Sequence, residues 1–358
     1  MDKKEKKKTT KEKKEVAKVK VPTMVYAILI AIIFYLVVIA ILIYFLGINT
    51  AIVKKTTQII PYPAAVANGK IIKVSDLWEN LEASRKFYEN QDFSDLGFRV
   101  DFSTPDGKNR LKIKEKNILN KMIENAVIEK EAEKRGINLT AESVSQEVDK
   151  KIEQYGNREE IISELGKLYG WSLADFEKNI VKPDMNKEKL YEDMRKNDKS
   201  FEEGRKKIEE ALVELKKGSD FESVVGKYSD GDSAKNRGDL GWFSEEEMLP
   251  EISYVAFGLK KGELSEVIES SLGYHIIKVE DKKTEEEQEK VHIKQIFIRT
   301  ANFSQWLEEQ EKKASVFIPI RKYIWDKENG WVKFRDENLI KFEENLEKNY
   351  PGDISVLF

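Results

Sequence analysis

Residues 238–243 read Gly-Asp-Leu-Gly-Trp-Phe and residues 273–279 read Gly-Tyr-His-Ile-Ile-Lys-Val, and these two segments decide the fold of the second half of the chain. The second segment is rich in β-branched and aromatic residues, which is typical of a strand. Helical patterns at 201–217 and 221–228, followed by a polar loop, precede the first segment. This mixture of helices and short strands predicts an α+β fold.

Length and composition limit the possible functions. The chain has 358 residues, which predicts more than one domain, because single domains usually contain about 100 to 200 residues. Charged residues make up 35% of the chain but nearly cancel to a net charge of −3, so nucleic acid is not predicted as a partner. The absence of cysteine excludes disulfides and thiolate metal sites, and two histidines argue against a multi-histidine site. No metal and no cofactor are predicted.

An uncharged, apolar segment covers residues 21–46. At about 1.5 Å per residue a helix of this length exceeds the roughly 30 Å thickness of the hydrocarbon core of a bilayer. A cleaved signal peptide is the alternative, but the segment is longer than a usual signal-peptide core and no small-x-small cleavage site follows it closely. The sequence therefore predicts an uncleaved transmembrane helix at 21–46 that binds the lipid bilayer.

Lysines concentrate on one side of this segment. Residues 1–20 contain ten lysines and four acidic residues, a local charge of +6, whereas only Lys54 and Lys55 follow closely on the other side. The positive-inside rule places such a basic tail in the cytoplasm, where it can also contact anionic lipids. We therefore predict a single-pass protein of the cell membrane, with everything after about residue 50 extracytoplasmic.

The next segment is predicted to be a linker followed by a hairpin. Residues 47–63 end in Pro-Tyr-Pro, and two prolines so close together disfavour a continuing helix or a central strand. Two short apolar runs then flank Asn68-Gly69, which is a strong hairpin signal. Ser75 can cap a helix that extends to about Tyr88, and a loop rich in Gly, Pro and Asp is expected near 94–109.

A helical period extends from Lys114 to Met194 and includes further predicted helices at 158–168 and 172–194. Taken alone, these amphipathic helices contain no catalytic constellation and indicate a packing unit. Four short segments in the region are Val66-Ala67-Asn68-Gly69, Leu119-Asn120-Lys121-Met122-Ile123, Ala132-Glu133-Lys134-Arg135-Gly136-Ile137 and Gly170-Trp171-Ser172-Leu173-Ala174-Asp175-Phe176. In this order they resemble the N-terminal chaperone domain of SurA and trigger-factor-like foldases. The resemblance implies a helical domain at 64–198 with an apolar cradle for unfolded polypeptides.

A larger set of fixed spacings lies between residues 199 and 300. It comprises Gly218-Ser219-Asp220-Phe221, Tyr228-Ser229-Asp230, Ser233-Ala234-Lys235, Gly238-Asp239-Leu240-Gly241-Trp242-Phe243, Met248, Ala256-Phe257, Lys261-Gly262-Glu263-Leu264-Ser265 and Gly273-Tyr274-His275-Ile276-Ile277. This set closely resembles the PpiC and SurA-like parvulin family of peptidyl-prolyl cis-trans isomerases. The resemblance implies a parvulin domain at 199–300 with a four-stranded antiparallel sheet, acting on proline-containing segments of newly exported, unfolded polypeptides.

The chemistry of this activity explains which residues matter. Rotation about an X-Pro amide meets a barrier of about 18–20 kcal/mol because resonance gives the C–N bond partial double-bond character. No bond has to break, so an apolar cup that desolvates the amide and polar groups that orient its carbonyl favour the twisted transition state. By the resemblance, the substrate-binding cup consists of Leu240, Met248, Ile252 and Phe257. Ordinary core packing is the other interpretation, above all for Phe257.

In the family, two histidines from neighbouring central strands form the floor of the site, beside hydroxyls and an acidic or thiol side chain. The resemblance matches His275 to one of these histidines and Ser270 to the adjacent hydroxyl residue. Gly231 holds the acidic or thiol position. Asp230 and Asp232 flank it and are candidates to approach the substrate carbonyl, although a solvated loop role is an open alternative.

The strand that carries the other histidine has no counterpart before the helix at 201–217. After a charged turn at 281–290, residues 291–300 alternate strongly and resemble that strand. A hairpin from 274 to 298 would supply it in circularly permuted order, because connected strands usually pair. The alternatives are a truncated second parvulin repeat or a separate small element. In the permuted alignment Gln295 takes the histidine position and completes the candidate catalytic set.

Residues 301–358 are predicted to be a C-terminal extension without a catalytic motif. Helices are expected at 303–314 and 336–350, with a hairpin between them at 316–334 that turns at Asn329-Gly330.

The whole pattern predicts a membrane-anchored extracytoplasmic foldase with peptidyl-prolyl isomerase activity. His275, Ser270 and the intact 238–243 segment favour an active enzyme. The alternative is a non-catalytic chaperone whose parvulin domain only binds peptides, and Gly231, Gln295 and Leu272, which replaces a small polar residue, favour it. A scaffold that tethers envelope proteins is a third, more distant interpretation.

Overall fold

A computed structural model describes residues 23–91, 101–285 and 288–349, and the chain divides into two compact units at Ile60. The first unit contains the apolar helix α1 (Thr23–Tyr44) and the short helix α2 (Ala51–Ile59). Among the described residues, 24–44 form the one helix that is long and apolar enough to cross a membrane. The predicted linker at 47–63 was wrong in one respect, because α2 occupies its middle and the two prolines follow that helix.

The second unit begins with the predicted hairpin, which is confirmed. Strand β1 (Pro63–Ala67) pairs antiparallel with β2 (Lys70–Lys73). Asn68 and Gly69 between them both have positive φ, at 48° and 83°, as a two-residue type I′ turn requires. Pro63 is the first residue of β1, a position where a strand tolerates the missing N–H.

Helices make up most of the following segment. Their bounds are α3 (Val74–Asn90), α4 (Pro105–Lys134), α5 (Ala141–Tyr155), α6 (Arg158–Leu168), α7 (Leu173–Phe176), a π-helical segment (Glu177–Val181) and α8 (Lys182–Asn197). The predicted cap Ser75 lies inside α3 instead. Of the loop predicted at 94–109, residues 94–100 lie outside the described residues, and the last residues are helical, because the Thr104 hydroxyl accepts from Gly107 N at 3.0 Å and caps the start of α4.

The next segment folds around a four-stranded antiparallel sheet. Its elements are α9 (Lys199–Lys216), α10 (Phe221–Tyr228), a 3₁₀ turn (Asp232–Asn236), β3 (Asp239–Phe243), a second 3₁₀ turn (Glu245–Glu247), α11 (Pro250–Gly258), β4 (Ile268–Ser270), β5 (Gly273–Glu285) and β6 (Gln288–Arg299). The strand order is β3-β6-β5-β4. We call residues 199–300 the sheet lobe.

The permuted central strand is confirmed. β6 pairs antiparallel with β5, with Tyr274 opposite Ile298 and Ile277 opposite Gln295, and its other edge pairs with β3. The charged turn predicted at 281–290 is wrong, because β5 continues to Glu285 and β6 resumes at Gln288. Charged side chains suit this outer ribbon, since they form cross-strand ion pairs such as Lys290–Glu285 at 3.0 Å.

The alternation of side chains gives the sheet two different faces. Tyr274, Ile276, Ile296 and Ile298 form a core with α9 and α10 on the back face. Ile277, Val279, Val291 and Ile293 pack with α11 on the front face. Because β5 and β6 alternate with a period of two, His275 and Gln295 also belong to the front face.

The C-terminal segment packs against the helices of the second unit. It consists of α12 (Phe303–Lys313), β7 (Val316–Phe317), β8 (Tyr323–Asp326), β9 (Trp331–Phe334) and α13 (Glu337–Asn349). The predicted 316–334 hairpin is confirmed only between β8 and β9, because Phe317 pairs with Val66 of β1 instead. Residue 350, the predicted end of the last helix, lies outside the described residues.

Helix α12 buries Phe303 and Leu307 against α4 and α8, and Lys116 of α4 pairs with Glu343 of α13 at 2.5 Å. The described residues of 61–198 and those of 301–349 therefore pack together, and we call them the helical lobe. The sheet lobe is an insertion between its two parts.

Candidate functional site

The polar candidates on the front face of the sheet form one continuous hydrogen-bonded chain. His275 on β5 is only 3% exposed. Its Nε2 lies 2.8 Å from the Ser270 hydroxyl on β4, and its Nδ1 lies 3.3 Å from Gln295 Oε1 on β6. Three adjacent strands thus bring these three predicted residues together.

The geometry fixes the direction of the hydrogen bonds. An amide oxygen only accepts, so the Nδ1–H of His275 donates to Gln295 and Nε2 accepts from the Ser270 hydroxyl. The Ser270 oxygen in turn accepts from the Leu272 backbone N–H at 3.0 Å, which holds the β4–β5 turn. The imidazole is therefore locked in one tautomer and orientation.

Burial lowers the pKa of the His275 imidazole, against the weaker opposing effect of its hydrogen bond to Gln295. Phe297 of β6 stacks on the ring, with centroids 4.7 Å apart. An apolar, enclosed ring of this kind is neutral at pH 7. The site thus offers hydrogen bonds rather than a positive charge.

Apolar candidates flank the polar chain on the same face. Ile252 is buried, and Leu240, Met248 and Phe257 are partly buried against the front-face cluster that includes Ile277. They come from β3, from α11 and from the connection before α11. The structure therefore places all four predicted cup residues in the cluster on the front face of the sheet, the face to which His275 and Gln295 also belong.

The two aspartates are directed elsewhere. Asp230 pairs with Lys207 at 2.8 Å and accepts from the Arg299 backbone N–H at 3.1 Å. The Asp232 side chain is 96% exposed and pairs with Lys235. Within the described residues, neither carboxylate is hydrogen-bonded to the polar floor.

One residue near the site was missed as a candidate. Ser233 is buried, and its hydroxyl lies 3.5 Å from Gln295 Nε2 at the outer end of the polar chain. A Cβ at the neighbouring Gly231 would lie 3.4 Å from Phe297 Cβ and 3.5 Å from the Ser233 hydroxyl, which is ordinary contact distance. The serine was visible in the motif at 233–235, but only the fold shows that it faces Gln295.

A second concave region lies in the helical lobe. This groove has a volume of about 620 Å³ and is bounded by β2, α3, α4, the segment after α6, and α8. Phe87, Tyr169 and Trp171 line one side as a continuous stack, with centroid separations of 5.1 and 5.2 Å. Other lining side chains are apolar, among them Ile71, Ile118, Met122 and Ile180.

Ion pairs fix the walls of this groove. Lys178 pairs with Asp76 at 2.7 Å and joins the π-helical segment to α3. Glu129 of α4 pairs with Lys182 at 2.8 Å and with Lys70 of β2 at 3.2 Å. The groove is therefore held open by contacts between its own walls.

No group of three or more His, Asp or Glu side chains in the described parts of the chain is arranged to hold a metal ion.

Two family models match parts of the chain. Residues 21–180 match the family model described as SurA-like N-terminal domain, and residues 185–281 match the PPIC-type PPIASE domain model. The second match includes β3, β4 and most of β5 and ends before β6.

Three curated relatives are similar to parts of the chain, and each is called foldase protein PrsA. The protein of Caldanaerobacter subterraneus subsp. tengcongensis is 33% identical, over 49% of this chain and 59% of the relative. That of Geobacillus kaustophilus is 31% identical, over 47% and 62%, and that of Bacillus subtilis is 47% identical, over 23% and 27%. The chain therefore spans less than two thirds of the length of these relatives.

Proposed function

We propose that this chain is a foldase that isomerises X-Pro peptide bonds of exported, unfolded polypeptides, because residues 21–180 match a SurA-like N-terminal domain and residues 185–281 match a PPIC-type PPIASE domain. The observation that carries this proposal is the chain of hydrogen bonds Ser270–His275–Gln295 beside the apolar cup. A buried, oriented polar floor next to apolar side chains suits a reaction in which an amide must be desolvated and twisted.

The proposed mechanism needs no covalent step. The proline ring lies against Leu240 and Met248, which remove water from the amide and so weaken the resonance that keeps it planar. The floor around His275 stays neutral and fixes the electrostatic environment of the twisted amide. Catalysis then depends on apolar contact and positioning rather than on proton transfer.

An isomerisation assay with the full chain in detergent micelles tests the proposal. The protein should accelerate cis-to-trans conversion of a short X-Pro peptide. Ser270→Ala removes the hydroxyl that orients His275 and should lower kcat/KM by about fivefold or more, because it leaves buried groups unpaired. His292→Ala is the matched control, since that histidine pairs with Asp239 on the back of the sheet and its loss should leave the rate unchanged.

The second candidate function is peptide binding without catalysis. It is favoured by the absence of a side chain at Gly231, the exposed apolar Leu272 at the β4–β5 turn, and two aspartates that bond elsewhere. Full binding of a proline-containing peptide without any acceleration would select this function over the isomerase.

We also propose that α1 anchors the protein in the cell membrane with the second unit outside. The apolar helix and the preceding lysines support this topology.

Cysteine labelling tests the topology. Since the chain has no cysteine of its own, a single introduced cysteine is the only residue in the protein that a maleimide reagent can label by its thiol. In intact cells a membrane-impermeant maleimide should label Tyr254→Cys, whose native side chain is 85% exposed, but should label Lys14→Cys only after permeabilisation.

The reverse labelling pattern would contradict this topology. A mature protein that lacks residues 1–46 would instead establish a cleaved signal peptide.

A further inference from the structure

Two asparagine side chains in the groove of the helical lobe have no hydrogen-bond partner in the described part of the chain. Asn186 of α8 is only 4% exposed, and Asn125 of α4 is half-buried. Both line the groove. By contrast, Asn80 of α3 lines the same groove but already donates to Asp76 O at 2.8 Å and to Asn179 Oδ1 at 3.2 Å.

The Asn186 amide gains no side-chain hydrogen bond from the described part of the protein in return for the near-complete burial of the residue. Buried polar groups are almost always hydrogen-bonded, and those left unsatisfied lose the hydration that they have in the unfolded chain. Leucine has a similar size and would fill the Asn186 position on a packed helix without that cost. Exceptions to the rule are found at functional sites and where a bound water or ion completes the hydrogen bonds.

The charged groups of the groove indicate what kind of ligand fits. Lys70, Lys178 and Lys182 are each paired with a carboxylate. Lys121 pairs with Glu124, and the buried Lys114 donates to the Tyr88 hydroxyl at 3.1 Å. The cations that line the groove are thus engaged within the protein. The groups left for a ligand include two neutral amides, each with two N–H donors and one carbonyl acceptor, among apolar and aromatic side chains.

We propose that Asn125 and Asn186 bind the main chain of an extended polypeptide segment, with its amide N–H and C=O groups bonded to the two side-chain amides. This inference rests on the proposed foldase function and specifies how the groove recognises its substrate. A peptide unit presents one donor and one acceptor whatever its side chains, so the two asparagines make binding independent of proline and tolerant of sequence. The stack of Phe87, Tyr169 and Trp171 then takes apolar side chains of the segment.

Peptides with altered backbones test this assignment in the full chain held in detergent micelles. The first probe is a fluorescein-labelled, proline-free unfolded peptide with aliphatic and aromatic residues. The second has the same sequence with alternate backbone amides N-methylated, which removes donors but keeps the side chains. Fluorescence anisotropy measures the Kd of each peptide for the wild type, Asn186→Leu, Asn125→Leu and the control Asn80→Leu.

We expect Asn186→Leu to weaken binding of the unmodified peptide by about tenfold, as loss of hydrogen bonds to a buried amide implies. N-methylation should weaken binding to the wild type by a similar factor. For Asn186→Leu the Kd values of the two peptides should differ by less than about twofold, because the substitution has already removed the hydrogen bonds that N-methylation would remove. Asn80→Leu should keep the wild-type ratio of the two Kd values, since the Asn80 amide is hydrogen-bonded to Asp76 and Asn179 and is not expected to bind the peptide.

The assignment would be overturned if the wild type bound both peptides with the same Kd. It would also be overturned if the Kd values of the two peptides differed as much for Asn186→Leu and Asn125→Leu as for the wild type. Displacement of the peptide from the wild type by a soluble oligosaccharide, with no effect of N-methylation, would also overturn it in favour of a glycan site. If Asn186→Leu does not fold, Asn125→Leu decides by the same comparison. A wild type that binds neither peptide contradicts the proposed foldase function as well, whereas binding without backbone dependence contradicts only the role of the asparagines.

Discussion

Truncation after Lys283 should abolish the folded sheet, because it removes β6 from the centre of the order β3-β6-β5-β4. Five side chains of this strand are buried, namely Val291, Ile293, Ile296, Phe297 and Ile298. At about 1.5–3 kcal/mol for each, their loss removes roughly 8–15 kcal/mol, which matches the whole free energy of unfolding of a typical domain. Hydrogen exchange measured by mass spectrometry should find the amides of 239–243 and 273–279 unprotected.

A second truncation separates the role of β6 from that of the segment behind it. Truncation after Thr300 keeps all four strands of the sheet and removes β7 to β9, α12 and α13. The amides of 273–279 should then stay protected, while those of α4 lose protection because Phe303 and Leu307 no longer cover it. If the sheet amides stay protected after truncation at Lys283, β6 is not needed for the sheet. If they lose protection in both truncated proteins, the two lobes unfold together.

The sheet could be predicted from sequence because the pattern of apolar and polar residues within each strand determines which face of the sheet each side chain occupies. Residues 291–294 alternate between apolar and polar side chains, and a one-residue shift would move Ile293 and Gln295 to the opposite face. This restricts the register against 274–279 even though the strand stands in an unusual place in the chain. The resemblance supplied the strand order, and the alternation supplied the pairing.

Other parts of the fold depend on contacts between distant segments. β7 is only two residues long, and nothing near Val316 or Phe317 specifies that they pair with β1. The charged residues at 281–285 were interpreted as a turn, but exposed ribbons tolerate charge when the two strands pair opposite signs. Helix α2 was not predicted because the two prolines after it were interpreted as evidence against any helix, whereas they only end the helix that precedes them.

The candidate site was predictable to a similar extent. Motif spacing identified His275 and Ser270, and the permuted alignment added Gln295, whose side chain reaches the histidine only because β5 and β6 pair. Asp230 is bonded to distant partners, Lys207 and the Arg299 backbone, which its local sequence does not indicate, whereas Asp232 is exposed and pairs with the nearby Lys235. Asparagines on amphipathic helices usually face water, so Asn125 and Asn186 gave no sign of burial in the sequence.

Removal of the apolar cup should have the largest effect on the proposed isomerase activity. Leu240→Ala and Met248→Ala each reduce contact with the proline ring, and a loss of about 1–3 kcal/mol corresponds to roughly 5- to 150-fold in kcat/KM. Binding of a proline-containing peptide should weaken in parallel. Val213→Ala is the control, because that exposed side chain lies on α9, behind the sheet, and its loss should change neither quantity.

The pH dependence distinguishes this cup-dominated mechanism from one that uses the charge of His275. Burial lowers the pKa of its imidazole, so the neutral form persists from above pH 8 down through the usual histidine range near 6.5, and protonation requires a more acidic solution. The rate should therefore vary little between about pH 6 and 8.

The His275→Gln variant tests this explanation. It keeps a hydrogen-bonding group against Ser270 and Gln295 and should preserve both the flat pH profile and most of the peptide affinity. A steep profile in the wild type that disappears in His275→Gln would show instead that protonation of this ring controls the rate, and the cup would then be only a binding surface.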